Sequence, residues 1–291
     1  MSFPIIINSS NYVSNNTYRV ELANVIDLSE FEVSVGQAYL YYSWYNISAA
    51  LNNNKFQITF PTSGASVTTT ITINDGAYNI TDLNNVLQFW FISMGYYIVN
   101  DVTGYYTYYG AFQISPTGYS VQWITNPLPT SLPSGYTSGG MTFPGSANQH
   151  PQLTILSTND FKDIIGYSAG TTYPIVPTNA GIQTTESTIP PNVSPISAIQ
   201  MRLSCCYNPF SSNSTLIHVF SSQGVGIGES VNASPIQLQF VPCIGSHKTI
   251  TLLFYDQMGR VLDLLDRNIV IKLIFRKKNG SINIQANEAS N

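Results

Sequence analysis

Charge is what this 291-residue chain lacks most. Asp, Glu, Lys and Arg together supply 9% of it, where an average soluble domain carries about 25%. Asn, Ser, Thr and Tyr fill the polar positions instead. Neutral hydroxyls and amides lose less on desolvation than Lys or Glu, so such a surface tolerates burial against other subunits. A secreted β-protein with the same Ser/Thr/Asn-rich surface is the alternative. The net charge of -4 argues against a general nucleic-acid binder built on a basic stripe, a cluster near the C-terminus being the one exception. Cysteine is also scarce: Cys205, Cys206 and Cys243 are an odd number with an adjacent pair. Neighbours on a regular strand point to opposite faces, so no disulfide framework is expected and a reducing compartment fits. Long hydrophobic runs are missing too. No stretch approaches the roughly 20 apolar residues that span a bilayer, so no membrane span is expected. The start, MSFPIIINSS, lacks the basic residues and the apolar length of a signal peptide. Asn-x-Ser/Thr triplets such as Asn46-Ile47-Ser48 are then composition, not glycan sites.

What the chain does have is alternation. Three strand-like runs open it: FPIII, TYRVEL and the long FEVSVGQAYLYYSWYNI from Phe31 to Ile47. In the third, Val33, Val35, Ala38, Leu40 and Tyr42 keep their period of two only with a slip at Gly36-Gln37, the mark of a β-bulge. Five more runs close the chain. In SAIQMRLSCCY, Ile199, Met201, Leu203, Cys205 and Tyr207 alternate with polar or small residues. TLIHVF, PIQLQFV and two final strands around TLLFY and IVIKLIF follow. Eight strands punctuated by Pro, Gly and Asn turns indicate a mainly β protein, an eight-stranded single jelly-roll sandwich.

Between the third and fourth runs lies a segment far too long for a loop. The expected division is therefore residues 1–47 plus 196–291 as the jelly roll, and 48–195 as an inserted small α+β domain with its linkers. KFQITF and TTTITI read as strands. Leu83, Val86, Leu87 and Trp90 then recur at spacings of three and four, the stripe of one clear helix. Thr81 or Asp82 is its expected N-cap and Gly95 its C-terminal stop. YYIVN, AFQIS, SVQWI and QLTIL read as short strands, and DFKDII as a helical turn. Residues 126–151 read as a loop, and 171–195 as an extended return linker.

Sites for chemistry are few. His150, His218 and His247 stand far apart, with no metal-ligand spacing, and His218 mid-strand reads as structural. Gly224, Gly226 and Gly228 in GVGIGES lack the lysine and following helix of a phosphate loop. Asp256, Asp263 and Asp266 match no calcium loop and read as turn residues. GYSAG, Gly166 to Gly170, has the letters of a serine nucleophile elbow but a helical turn before it and TTYPIVP after it, the wrong context on both sides. No catalytic, cofactor-binding or metal-ligating residue is assigned, and no cofactor is expected.

Three segments, in order, resemble the penton proteins of virophages and Polinton-like viruses, of the Mavirus type. INDGAYNITDLNNVL (Ile73 to Leu87) resembles their Gly-x-Tyr before a helix. FKDIIGYSAG resembles their short helix followed by Leu-Gly-Phe, with Ile165-Gly166-Tyr167 in that place. LLFYDQMGRVLDLLDRNIVIKLIFRKK resembles their closing hairpin, a strand ending in Asp-x-x-Gly-Arg and a last strand ending in basic residues. The resemblance implies an upright jelly roll at the fivefold vertices of an icosahedral capsid, with the insertion facing outward. It further implies a non-enzymatic minor capsid protein of the virion, assembled in the host cytoplasm, whose partners are its own copies in a homopentamer and the major capsid protein. The loop at 126–151 and the return linker depart from the family pattern. A host-attachment or carbohydrate-binding β-sandwich module is the alternative function, and a secreted β-sandwich hydrolase a further one.

One uneven feature remains. Lys248, Arg260, Arg267, Lys272, Arg276, Lys277 and Lys278 are seven of the eleven Lys and Arg residues. Such a basic C-terminal end could meet packaged DNA, the capsid interior or neighbouring subunits. Alternatively, it guards a hydrophobic strand end against edge pairing.

Overall fold

Period-two alternation becomes paired strands in a computed structural model that describes residues 2–222 and 224–278. Among these, eight strands build a sandwich: β1 (Ser2–Asn8), β2 (Thr17–Asp27), β3 (Phe31–Tyr41), β4 (Ile199–Leu203), β5 (Leu216–Phe220), β6 (Ser230–Asn232), β7 (Ser246–Asp256) and β8 (Val270–Lys277). One sheet runs β1-β8-β3-β6 and the other β5-β4-β7-β2. The first with the eighth, the second with the seventh, the third with the sixth and the fourth with the fifth are antiparallel neighbours. A long hairpin rolled over into two sheets has this order, and it makes the sandwich a jelly roll. Tyr12–Ser14 adds to β2, and Val241–Pro242 adds to β3.

The inward sets meet in one core. Ile7, Val33, Val35, Leu40, Leu273 and Phe275 come from the first sheet, and Tyr18, Met201, Leu203, Ile250, Leu252 and Phe254 from the second. Each such side chain contributes about 1.5–3 kcal/mol on burial. The slip in β3 is the expected bulge. Gln37 pairs with Lys272 and Val35 with Leu273, leaving Gly36 without a partner in the register. A Cβ there would lie 2.6 Å from Ile274 Cδ1. Ala38 and Leu40 thereby return to the core.

Two local expectations are corrected. The sixth strand is Ser230–Asn232, not PIQLQFV, of which only Val241–Pro242 pairs. Ala233 N–H bonds Ala38 O at 2.8 Å, the Ser234 hydroxyl then accepts from Ala38 N–H at 3.0 Å, and Pro235 has no N–H to extend the ladder. Ile236 and Leu238 are consequently exposed. The adjacent cysteines do not face opposite ways either. Strand β4 ends at Leu203 and the chain turns, with Cys206 N–H bonding Leu203 O at 3.1 Å, so both thiols are buried.

Residues Tyr45–Pro195 form the second compact unit. Asn46 ties its beginning to its end: the amide donates to Tyr78 O at 2.7 Å and to Val193 O at 2.6 Å. Ile47 bridges Gly76. Lys55–Phe60 is flanked by Val67–Thr72 on one side and Gln152–Thr154 on the other, with Thr172–Tyr173 beyond. Two three-stranded sheets accompany it. One places Val121–Thr125 between Gly110–Ile114 and Gln183–Glu186, and the other places Tyr97–Asn100 between Tyr106–Tyr108 and Tyr136–Ser138. The return linker thus contributes two strands, Thr172–Tyr173 and Gln183–Glu186, and the loop at 126–151 contributes one, Tyr136–Ser138.

Helix α1 (Ile80–Met94) buries Leu83, Leu87, Trp90 and Phe91, as its spacing requires. Its N-cap is Asn79, not Thr81 or Asp82. Asn79 Oδ1 accepts from Asp82 N–H, and Asp82 Oδ2 accepts from Asn79 N–H, both at 2.9 Å. Gly95 ends it in the left-handed region at φ 72°. Aromatic pairs fill the core of the unit: Phe56 stacks on Phe161 at 5.0 Å and Phe60 on Tyr96 at 4.1 Å. The short α2 (Phe161–Ile165) covers this cluster.

Candidate assembly surfaces

The basic end of β8 is answered by acidic residues of the same chain. Antiparallel register sets Arg276 opposite Glu32. Its Nε lies 2.5 Å from Glu32 Oε1, and its guanidinium lies 3.5 Å from the centre of the Phe240 ring. Lys277 pairs with Glu30 at 3.5 Å, and Lys278 Nζ donates to the carbonyls of Ser29 and Cys243 at 2.5 and 3.3 Å. Farther along, Arg260 Nε bonds the buried Asp256 carboxylate at 2.6 Å, and Arg267 stacks over Tyr12 at 4.1 Å. Strand β8 lies between β1 and β3. An interior strand has no open edge, so the edge-guard reading fails. The end of β8 is a zwitterionic rim, not a free cationic patch.

The remaining candidates have structural roles. Fully buried His150 accepts from the Thr125 hydroxyl at Nδ1, 2.9 Å, and donates from Nε2 to Asn179 O, 2.8 Å. The carbonyl can only accept, which places the proton on Nε2. His218 and His247 donate to Ala233 O and Ile244 O, at 2.8 and 2.7 Å. Among the described residues no group of three or more His, Cys, Asp or Glu is arranged to hold a metal ion. Asp256 accepts from Met258 and Arg260 N–H, both at 2.9 Å, Asp263 accepts from Asn16 at 2.5 Å, and Asp266 from Asn268 N–H at 2.9 Å. Gly226 N–H bonds Glu229 Oε2 at 2.8 Å in the turn before β6.

GYSAG holds the insertion together. Gly166 ends α2 at φ 76°, where a Cβ would collide with the Ile189 carbonyl oxygen. The buried Tyr167 hydroxyl accepts from Trp123 N–H at 2.7 Å and lies 2.9 and 2.6 Å from the carbonyls of Val121 and Thr185. Burial pushes this phenol up from its ordinary range, although the Trp123 bond favours the ionised form. Ser168 is exposed, its hydroxyl 3.3 Å from that of Thr188.

Exposed apolar and aromatic groups gather on both compact units. On the outer face of the β1-β8-β3-β6 sheet, Ile6, Tyr39, Tyr41 and Val270 are between 38 and 57% exposed. A hollow of about 460 Å³ adjoins them, lined by Asn8, Ser10, Tyr39, Tyr41, Asn268 and Val270. A second hollow, about 520 Å³, lies along the sheet-edge strand β5, beside His218, Val219, Ile236 and Gln237. In the insertion, Tyr97, Tyr106 and Tyr108 form an aromatic ladder on the hairpin, with ring centres 5.2 and 6.2 Å apart, and Tyr105 projects from its tip. The alternation Tyr106-Thr107-Tyr108 is the only sequence signal for that ladder. The Tyr97 ring lies against Gly139, where a side chain would collide with it.

No family model and no curated protein matches the chain. Among solved structures it is similar to the crystal structure of selenomethionine-labelled mavirus penton protein, at 13% identity and a TM-score of 0.47, over 96% of this chain and 98% of that one.

Proposed function

We propose that this chain is a structural capsid protein that assembles with its own copies as a vertex pentamer and seats against a major capsid protein. The observation that carries the reading is the group Ile6, Tyr39, Tyr41 and Val270, apolar and aromatic side chains exposed on the outer face of one jelly-roll sheet with Lys272 opposite Ile6 as the adjoining charge. Monomeric proteins seldom leave such a group to water, and the amides and hydroxyl beside it, from Asn8, Asn268 and Ser10, are cheaper to desolvate than charges. The three segments that resemble virophage and Polinton-like pentons support it. They form the approach to α1, the α2 turn with Tyr167, and strands β7 and β8, which are consecutive but lie in opposite sheets and so make no paired hairpin. Place in the virion and assembly in the host cytoplasm belong to the same reading. The test is Ile6→Glu with Tyr39→Glu in the intact chain. A charge on the self-associating face should reduce the oligomer to monomer while circular dichroism and cooperative melting are retained. An oligomer that survives the double change removes this face from assembly.

A second reading, attachment to carbohydrate, is favoured by the tyrosine ladder, in which Tyr106 is exposed and Tyr97 and Tyr108 are half-buried. Aromatic faces suit the apolar faces of sugar rings, and the insertion has only Lys55 and Lys162 as cations to attract acidic ligands. Glycan-array binding that is lost on Tyr106→Ala would establish this role beside assembly. No binding to neutral glycans would exclude it.

A further inference from the structure

Three buried thiols gather where the two sheets of the sandwich meet. Cys206 follows β4 in one sheet. Cys243 follows Val241–Pro242, which extends the other sheet beside β3, and its N–H bonds Phe31 O at 2.9 Å. The two residues form an isolated antiparallel bridge. The flanking bonds fix its type: Tyr207 N–H donates to Pro242 O at 2.8 Å, and Ile244 N–H donates to Cys205 O at 3.0 Å. A pair bracketed in this way is a non-hydrogen-bonded pair, the arrangement that brings opposed side chains closest. The Cα separation of such pairs falls at about 4.5 Å, within the disulfide range of roughly 4.4–6.8 Å. All three cysteines are free thiols.

We propose that Cys206 and Cys243 are a disulfide-forming pair, whose oxidation staples one sheet of the jelly roll to the other once the protein leaves a reducing compartment. The backbone register sets Cys206, rather than Cys205, opposite Cys243. Cys243 is the attacking thiolate. Thiol hydrogen bonds from Cys205 and Cys206 hold its pKa below the ordinary thiol range, helped by the positive charge of Lys278. With hydrogen peroxide as oxidant, the Cys243 thiolate takes one oxygen to become a sulfenic acid, and the hydroxide released combines with the thiol's proton as water. The Cys206 sulfur then attacks Cys243 Sγ, the S–O bond breaks, and a second water leaves with the Cys206 proton. Two thiols lose two electrons and two protons, and one peroxide becomes two waters. Cys206 and Cys243 are at most 2% exposed, so the reaction waits on opening of the turn at 204–206 and is slow with bulky oxidants. The link closes a loop that contains β5 and β6, and so restricts the unfolded chain. This inference stands whether or not the capsid reading does.

The experiment is prolonged treatment of the intact, folded protein and of Cys205→Ala with dilute hydrogen peroxide, followed by non-reducing peptide mapping and thermal melting. The expected result is a Cys206–Cys243 link in both, with a melting midpoint raised by roughly 5–15 °C and returned to its starting value by a reducing agent. Cys206→Ala should form no link. Should Cys205→Ala fail to fold, fragmentation between Cys205 and Cys206 in the wild-type peptide identifies the linked sulfur. Thiols that stay reduced or pass to sulfinic acid, a link through Cys205, or a link without a shift in melting would each overturn the proposal.

Discussion

Tyr167 and His218 show how single polar groups hold this low-charge chain. Tyr167→Phe keeps the ring but removes the side-chain acceptor of the buried Trp123 N–H, and it takes away a donor to the Val121 and Thr185 carbonyls. Unmade bonds of this kind cost about 1–3 kcal/mol. Denaturant unfolding should show a loss of that size, and a neutral change would contradict the role given to GYSAG. His218 adds a pH dependence. Burial holds its imidazole below the ordinary value of 6.5, against the opposing effect of the Ala233 carbonyl bond. The unfolded chain therefore takes up the proton first. Stability from this group is complete above about pH 6.5 and falls as pH drops below it toward the folded pKa. His218→Gln keeps a donor for Ala233 O, so it should flatten the fall in melting midpoint below about pH 6.5. An unchanged acid slope would assign that slope to other groups.

Among elements, the rim of β8 makes the sharpest prediction. Its outermost ion pair, Lys277 with Glu30, is more than half exposed on both sides, and such pairs contribute about 0–1 kcal/mol. A double-mutant cycle of Glu30→Gln and Lys277→Gln should therefore return a coupling below about 1 kcal/mol. Replacing Arg276, Lys277 and Lys278 together with Ser should leave a cooperatively folded protein, and unfolding would show that the rim does more than neutralise Glu30 and Glu32. Strand β8 is legible in the sequence, because Ile271, Leu273 and Phe275 mark its buried face. Its interior position is not legible, since this depends on pairing with β1 and β3 across most of the chain. The bulge at Gly36 can be read because it interrupts a strong apolar alternation. Strand β6 escapes sequence reading because three residues carry no period, while the apolar letters of PIQLQFV suggest a strand that Pro235 prevents. Gln183–Glu186 is hidden for the opposite reason: Thr and Gln look the same on both faces. The cap of α1 is ambiguous in the sequence because Asn79, Thr81 and Asp82 are all competent capping residues, and only the reciprocal bond between Asn79 and Asp82 selects one. For the surfaces, the scarcity of charge points to burial against partners, but composition does not say which face carries Ile6, Tyr39 and Val270.

At the scale of the molecule, the jelly roll and the segment Tyr45–Pro195 each have their own core. We expect the sandwich to fold alone when that segment is replaced by a short Gly/Ser linker, with cooperative unfolding as the readout and a molten, non-cooperative transition as the contrary result. Assembly is the larger claim, since it gives the exposed apolar group on the jelly roll a partner. The most direct measurement is the solution mass of the intact chain by light scattering coupled to gel filtration, repeated on protein released gently from assembled particles. A species of five times the chain mass is the predicted result. A protein that remains a monomer in both preparations, at every concentration accessible, would contradict it.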